Sequence, residues 1–203
     1  MLMVSSRQNP GDLTDMDILS EVSAGKVDAY GKIVGRYHGR LYNFIYRFVG
    51  DRETAEDIVQ ETFLRAFRKR DEYRAIANFS TWLFTIAGNL AKSELRRRKR
   101  WRMISAERAD VTDTGMELPD ESARPDKVAE SSIADVQIQN AINSLPNNYR
   151  QVILLRDVEG MSYQEISEIV DCPVGTVKSR GNRARLKLQQ KLKSEGRDVG
   201  LVV

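Results

Sequence analysis

Residues 175–193 read GTVKSRGNRARLKLQQKLK. Seven basic side chains stand there without one acidic side chain, while Val177, Ala184, Leu188 and Leu192 recur at helical spacing. Three helices fit such a composition: a solvated one, one lying on a membrane surface, and one built to lie against a polyanion. A solvated face normally alternates acids with bases. A membrane-surface helix needs a broad apolar face with Trp or Phe, and this stripe is narrow and aliphatic. Donors concentrated at the leading end suit the major groove of duplex DNA, which admits a helix whose first turns reach base edges. Thr176, Lys178, Ser179, Arg180 and Arg183 supply those donors, and Arg185, Lys187, Lys191 and Lys193 are spaced to meet flanking phosphates. Gly181 falls on the apolar stripe, where a helical glycine costs about 1 kcal/mol relative to alanine. Either a close helix approach compensates or the helix is locally soft; the sequence leaves both open.

The preceding residues supply the first half of the motif. In SYQEISEIVDCPVGTVKSR, Ser162 is followed three residues later by Glu165, a capping box that satisfies two backbone donors at a helix start. That helix stops at Asp171-Cys172-Pro173, and the basic one begins around Val174 or Gly175. Two helices joined by a short turn, the second basic, predict a helix-turn-helix. Upstream, NYRQVILLRDVEG reads as a short apolar helix ended by Gly160, preceded by a helix carrying Ile138, Ala141, Ile142 and Leu145.

Before this unit the composition changes. Residues 105–131 hold eight acidic and three basic side chains with two prolines, too little apolar surface for a core and a natural flexible linker. The segment before it is helical again. In DRETAEDIVQETFLRAFRKRDEY, residues Ala55, Ile58, Val59, Thr62, Phe63, Ala66 and Phe67 form one continuous stripe. DAYGKIVGRYHGRLYNFIYRFVG is a second apolar helix stopped at Gly50, and FSTWLFTIAGNLAKSELRRRKR a third that starts near Ser80. An antiparallel bundle would bury all three stripes. Opposite the first stripe, Asp57, Gln60, Glu61, Leu64 and Arg68 share a face; it is either solvated or a docking patch, an apolar contact ringed by charge. The block RRRKRWR at 96–102 lies on the helix that opens with Phe79 and Trp82. Basic side chains there suit a helix C-terminus, and rings beside cations also suit single-stranded nucleic acid. Phe79 and Trp82 stand at the loop-to-helix junction, where partial exposure of the rings is expected.

Composition narrows the classes further. Of 203 residues 30% are charged, the net charge is only +3, and there is one Cys and one His. A disulfide is impossible within the chain, a Cys/His zinc site is improbable on these counts, and no run approaches the length of a membrane span. No Gly-rich phosphate loop or catalytic constellation occurs; His38 and Cys172 read as structural, and no cofactor is expected. The sequence predicts a cytoplasmic protein that is not an enzyme.

Together DRETAEDIVQETFLRAF, NFSTWLFTIAGNLAKSELRRRKR, the acidic linker and LPNNYRQVILLRDVEGMSYQEISEIVDCPVGTVKSRGNRAR resemble bacterial sigma factors of the extracytoplasmic-function class, over about residues 17–193. The resemblance implies an all-α chain of two small helical domains, an N-terminal bundle and a C-terminal helix-turn-helix domain, joined by a flexible acidic linker. Its divisions are a tail (1–16), a polymerase-docking and −10 domain (17–104), the linker (105–131), a −35 domain (132–195) and a second tail (196–203). It implies docking of Asp57, Gln60, Glu61, Phe63 and Leu64 on the β′ clamp helices of core RNA polymerase, although periodicity turns Phe63 toward the core. It implies −10 capture of an unpaired base by Asn78, Phe79, Ser80, Thr81, Trp82, Asn89, Lys92, Arg96 and Arg97. Reading of the −35 element falls to Thr176, Lys178, Ser179, Arg180, Arg183 and Arg185, with a contact to the β flap. Promoter DNA and an anti-sigma factor, membrane-anchored in many relatives, complete the implied partners. The rivals are an autonomous helix-turn-helix regulator that binds duplex DNA without polymerase, and a helical adaptor that binds only proteins.

Overall fold

A computed structural model describes residues 13–73, 78–109 and 133–194. Among them the chain is helical, with no strand. The first unit holds α1 (Asp15–Ser23), α2 (Tyr30–Val49), α3 (Arg52–Arg68) and α4 (Phe79–Ala109). The second holds α5 (Ile133–Asn143), α6 (Asn147–Ile153), α7 (Tyr163–Val170) and α8 (Val174–Ser194). The expected all-α architecture is present. Of the expected acidic linker, residues 105–109 continue α4 and residues 110–131 lie outside the described residues. Of the two expected tails, residues 1–12 and 196–203 lie outside them as well.

In the first unit α2 forms the spine. Ile33, Tyr37, Leu41, Phe44, Ile45, Phe48 and Val49 are buried along one face, and α3 and α4 pack against it. Phe44 lies 5.9 Å from Phe48 and 5.4 Å from Phe84 between ring centroids, the separations at which aromatic pairs add to simple burial. The stripe expected on α3 is buried from Ala55 to Ala66, with Phe67 at its half-buried edge. Asp51 caps α3 by accepting from the Thr54 backbone N–H at 2.9 Å. Helix α1 goes beyond the sequence reading, which placed residues up to 16 in a tail. Thr14 and Asp17 form a capping box there, the aspartate replacing the usual glutamate, and Ile18, Leu19 and Val22 are buried.

In the second unit Pro146 opens α6, and α6 passes into a π-helical turn at Leu154–Val158. The capping box of α7 forms as read: Ser162 Oγ accepts from the Glu165 N–H and the Ser162 N–H donates to the Glu165 carboxylate. Asp171, at φ 51°, closes α7 in the left-handed region that aspartate tolerates better than most residues. Helix α8 buries Val177, Gly181, Ala184, Leu188 and Leu192 against α6, α7 and α5.

The structure answers the question at Gly181. A β-carbon built there meets only Val152 Cγ1, at 3.7 Å, an ordinary contact. Alanine therefore fits, and a close approach does not require the glycine. Gly181→Ala is expected to raise stability by about 0.5–1 kcal/mol through the lower backbone entropy of the unfolded chain, read as a higher urea midpoint at constant m-value.

Candidate nucleic-acid interface

On α8, Lys178, Ser179 and Arg183 are exposed, with Thr176 and Arg180 half-buried beside them. The ammonium of Lys178 lies 5.7 Å from the ring centroid of Tyr163, and Ser179 Oγ donates to the Thr176 carbonyl. Arg180 turns back to the helix-turn-helix turn, where Nη1 donates to Cys172 Sγ at 3.4 Å. Cys172 is packed against the core there, in agreement with its structural reading. Arg185 departs from the expectation of an available phosphate contact. Asp157 holds its guanidinium through two hydrogen bonds of 2.7 and 3.1 Å, and these push the guanidinium pKa further up. The ion pair forms because the π-helical turn brings Asp157 alongside α8, a long-range placement that no local pattern reports.

On α4, Asn78, Asn89, Arg96 and Arg97 are exposed, while Ser80, Trp82 and Lys92 are half-buried. Phe79 departs from the expected partial exposure, being buried at 4%, and Thr81 of the same implied site is buried at 2%. Phe79 is clasped by Tyr37, Tyr73 and Trp82, with centroids 5.3–5.7 Å away. An edge that begins a helix over a bundle must turn its first apolar side chain inward, so Phe79 anchors the junction. Trp82 is left as the ring at the boundary with solvent. Residues 74–77 of the expected loop lie outside the described residues. Arg97 is exposed but held by Glu94 through bonds of 2.8 and 2.9 Å, and Arg98 is drawn to Glu94, Asp51 and Thr54. Two cations of the basic block are thus partly neutralised at home, leaving Arg96, Lys99, Arg100 and Arg102 exposed beside Trp101.

On α3, Asp57 and Gln60 are exposed and Leu64 is half-exposed, with Glu61 paired to Arg65 at 2.6 Å. Phe63 is corrected by burial: it is 7% exposed, one turn of the core stripe, and cannot belong to the same outer face. Among the described residues no cluster of His, Cys, Asp and Glu could hold a metal ion, and no helix is long and apolar enough to cross a membrane.

Arg40 and Glu159, which sequence reasoning passed over, bring the two units together along with Asn78, Lys92 and Glu165. Asn78 Nδ2 donates to Glu165 at 3.2 Å, and Arg40 Nε donates to Glu159 at 3.1 Å. Burial pushes the Glu159 carboxyl up and Arg40 opposes that shift. Lys92 is lowered by burial and by Arg96, with Asp171 pulling the other way, so α7 and its cap cover part of α4. A charged residue inside the apolar run NYRQVILLR was the one local sign that Arg150 would be buried.

Comparison with known proteins places this geometry. The family model for Sigma-70 region 2 matches residues 33–101, and that for Sigma-70, region 4 matches residues 135–188. The chain is 37% identical over 183 residues to the ECF RNA polymerase sigma-E factor of Haemophilus influenzae, covering 89% of this chain and 96% of the relative. It is 35% identical over 179 residues to the ECF RNA polymerase sigma factor SigW of Bacillus subtilis, covering 86% and 95%. Its structure is similar to the sigma factor RpoE of Bartonella quintana, crystallised with the anti-sigma factor NepR, with TM-score 0.63, 29% identity, and 81% and 96% of the two chains covered.

Burial separates Phe63 from Leu64 experimentally. Phe63→Ala is expected to cost about 3–5 kcal/mol as a core truncation, and Leu64→Ala to stay within about 0.5 kcal/mol. Thermal or urea unfolding of the two variants checks both values.

Proposed function

The chain belongs to the sigma-70 family, in its extracytoplasmic-function class, and from that membership we propose how its surfaces divide the work of transcription initiation. It binds core RNA polymerase and directs it to promoters, contributing binding energy and no reaction of its own. The observation that carries the reading is the pair of basic helical faces, α4 and α8, in two units matched in order by sigma-70 regions 2 and 4.

The α8 surface reads the −35 element as duplex. Lys178 and Arg183 project into solvent at its leading end, where a helix entering the major groove meets base edges and phosphates. Arg185 acts differently: its bond to Asp157 makes it a weaker phosphate contact and a brace for the helix. The α4 surface captures the −10 element after strand separation. Trp82, with Asn78, Ser80, Asn89, Lys92 and Arg96 around it, offers a ring edge and donors to an unpaired non-template base. Capture of that base offsets the few kcal/mol lost when it leaves the stack. Phe79 and Thr81 act from beneath, holding the junction. The α3 face of Asp57, Gln60, Glu61 and Leu64 docks on the β′ clamp helices, and the second unit meets the β flap. The similarity to a sigma factor crystallised with an anti-sigma factor supports control of this chain by such an inhibitor.

The experiment is a promoter gel-shift and run-off transcription with and without core polymerase. The proposed function expects start-site selection only with core polymerase; tight duplex binding by the protein alone favours an autonomous regulator. Lys178→Ala or Arg183→Ala is expected to weaken −35-dependent binding by about 1–3 kcal/mol while core binding is retained. For the salt dependence, Arg183→Ala should lower the slope of log K against log salt by about one, and Arg185→Ala by less. Trp82→Ala should slow open-complex formation more than closed binding, read by permanganate reactivity of the −10 thymines over time.

A further inference from the structure

One carboxylate of α1 reaches the aromatic cluster around Trp82. Tyr37 stands on the buried stripe of α2, and it is the one member of that stripe with a hydroxyl to satisfy. A phenylalanine would fill the same space, and a buried hydroxyl without a partner forfeits its hydration. Asp15, the first residue of α1, supplies the partner: its Oδ2 accepts from the Tyr37 hydroxyl at 2.6 Å. Arg36 donates to the other oxygen of that carboxylate and, through Nη2, to the Leu13 carbonyl at 2.9 Å. Asp15 is thus itself held in place. Burial, and then the bond to Asp15, push the Tyr37 hydroxyl up from its usual range, so it remains a donor at neutral pH.

From Tyr37 the contact passes to the −10 junction. The Tyr37 ring lies 5.7 Å from that of Phe79 between centroids, and Phe79 lies 5.6 Å from Trp82. Tyr73 closes the cluster, 5.3 Å from Phe79 and 5.2 Å from Trp82. These pairs are tilted or edge-on, with interplanar angles from 35° to 85°, so each ring fixes the plane of the next. Burial raises the Tyr73 hydroxyl and the Asp15 charge adds to it, so the carboxylate stands within electrostatic reach of two members of the cluster. At its other end α1 is fastened to the segment that delivers Tyr73, where Ser23 Oγ donates to Asp71 Oδ1 at 2.8 Å.

We infer that Asp15 is a positioning residue for −10 capture, acting through the Tyr37 hydroxyl and the Phe79 ring to set the angle at which Trp82 meets the unpaired base. The inference rests on the promoter reading above. Asp15 acts here without contact to DNA. A ring at the boundary with solvent gains from a base only when its face is presented, and a ring free to tilt must be ordered at the moment of capture. Ordering it beforehand removes that cost from the opening step. Closed binding reads duplex and does not draw on Trp82, so the effect falls on opening.

The test uses the full chain with core polymerase, in a Trp101→Phe background where Trp82 is the only tryptophan. Tyr37→Phe keeps the ring and removes the donor, Asp15→Ala removes the acceptor, and Asp15→Asn keeps an oxygen for the Tyr37 hydroxyl. Val22→Ala is the control for a general weakening of α1, being buried about two turns from Asp15. Tyr37→Phe and Asp15→Ala should each slow open-complex formation about tenfold, the scale of one hydrogen bond to a charged group, with core affinity and closed binding unchanged. Their double variant should be no slower than either alone, because both remove one interaction. Trp82 emission should move to longer wavelength and be quenched more readily by acrylamide in both. Asp15→Asn should restore the parent rate, and Val22→Ala should keep it. Parent opening rate and parent emission in Tyr37→Phe overturn the inference, as does equal slowing by Val22→Ala. A normal opening rate in Trp82→Ala overturns the base-capture reading instead, and the emission shift still reports whether Asp15 orders Trp82.

Discussion

The guanidinium of Arg150 lies where two helices end, and the arrangement of the second unit depends on it. Its amino groups donate to the carbonyls of Asn143 and Leu145, at the close of α5, and to Phe48 at the close of α2. A buried cation without a carboxylate is tolerated only when dipoles surround it, and helix C-termini present such dipoles with their negative ends outward. Burial still works against its charged form. The same contact that completes the fold of the second unit thus fastens it to the first. Gly50 contributes nearby: at φ 78° it turns the chain out of α2, and the Asn143 amide occupies the space a β-carbon there would crowd, at 3.2 Å.

Charge in this molecule is sorted by pairing. Arg97, Arg98 and Arg185 are bound by carboxylates in their own unit, whereas Lys178, Arg183, Arg96, Lys99 and Arg100 project from their helices into solvent. A phosphate must compete with a carboxylate in the first set and only with water or neutral neighbours in the second. The basic content of a segment therefore overstates its electrostatic reach, and the exposed subset defines it. With a net charge of only +3, attraction to DNA comes from local faces and is screened within roughly 10 Å at ordinary salt.

Burial sorts the aromatic and apolar residues in the same way. Phe79 and Phe63 each lie next to a more exposed residue, Phe79 near Trp82 and Phe63 beside Leu64. One position along a helix is a rotation of about 100°, enough to move a side chain from core to solvent. Residues that motif resemblance groups as one site are thus divided between buried and exposed positions.

Helical periodicity alone determined the class of the fold, the stripe of α3, the aliphatic seam of α8 and the turn that joins α7 to it, because these depend on side chains within four residues of each other. Capping at Ser162 and the stop at Gly50 were legible for the same reason; Thr14 was legible in principle, hidden by an aspartate in the glutamate position. Tertiary structure decided which cations are already paired, that Phe79 and Thr81 lie under the surface, and that Gly181 is not held by a close approach. It also decided that the two units meet at all. Arg40 finds Glu159 across 119 positions and Arg150 finds Phe48 across 102. No period or spacing encodes such encounters, because they follow from where whole helices end in space.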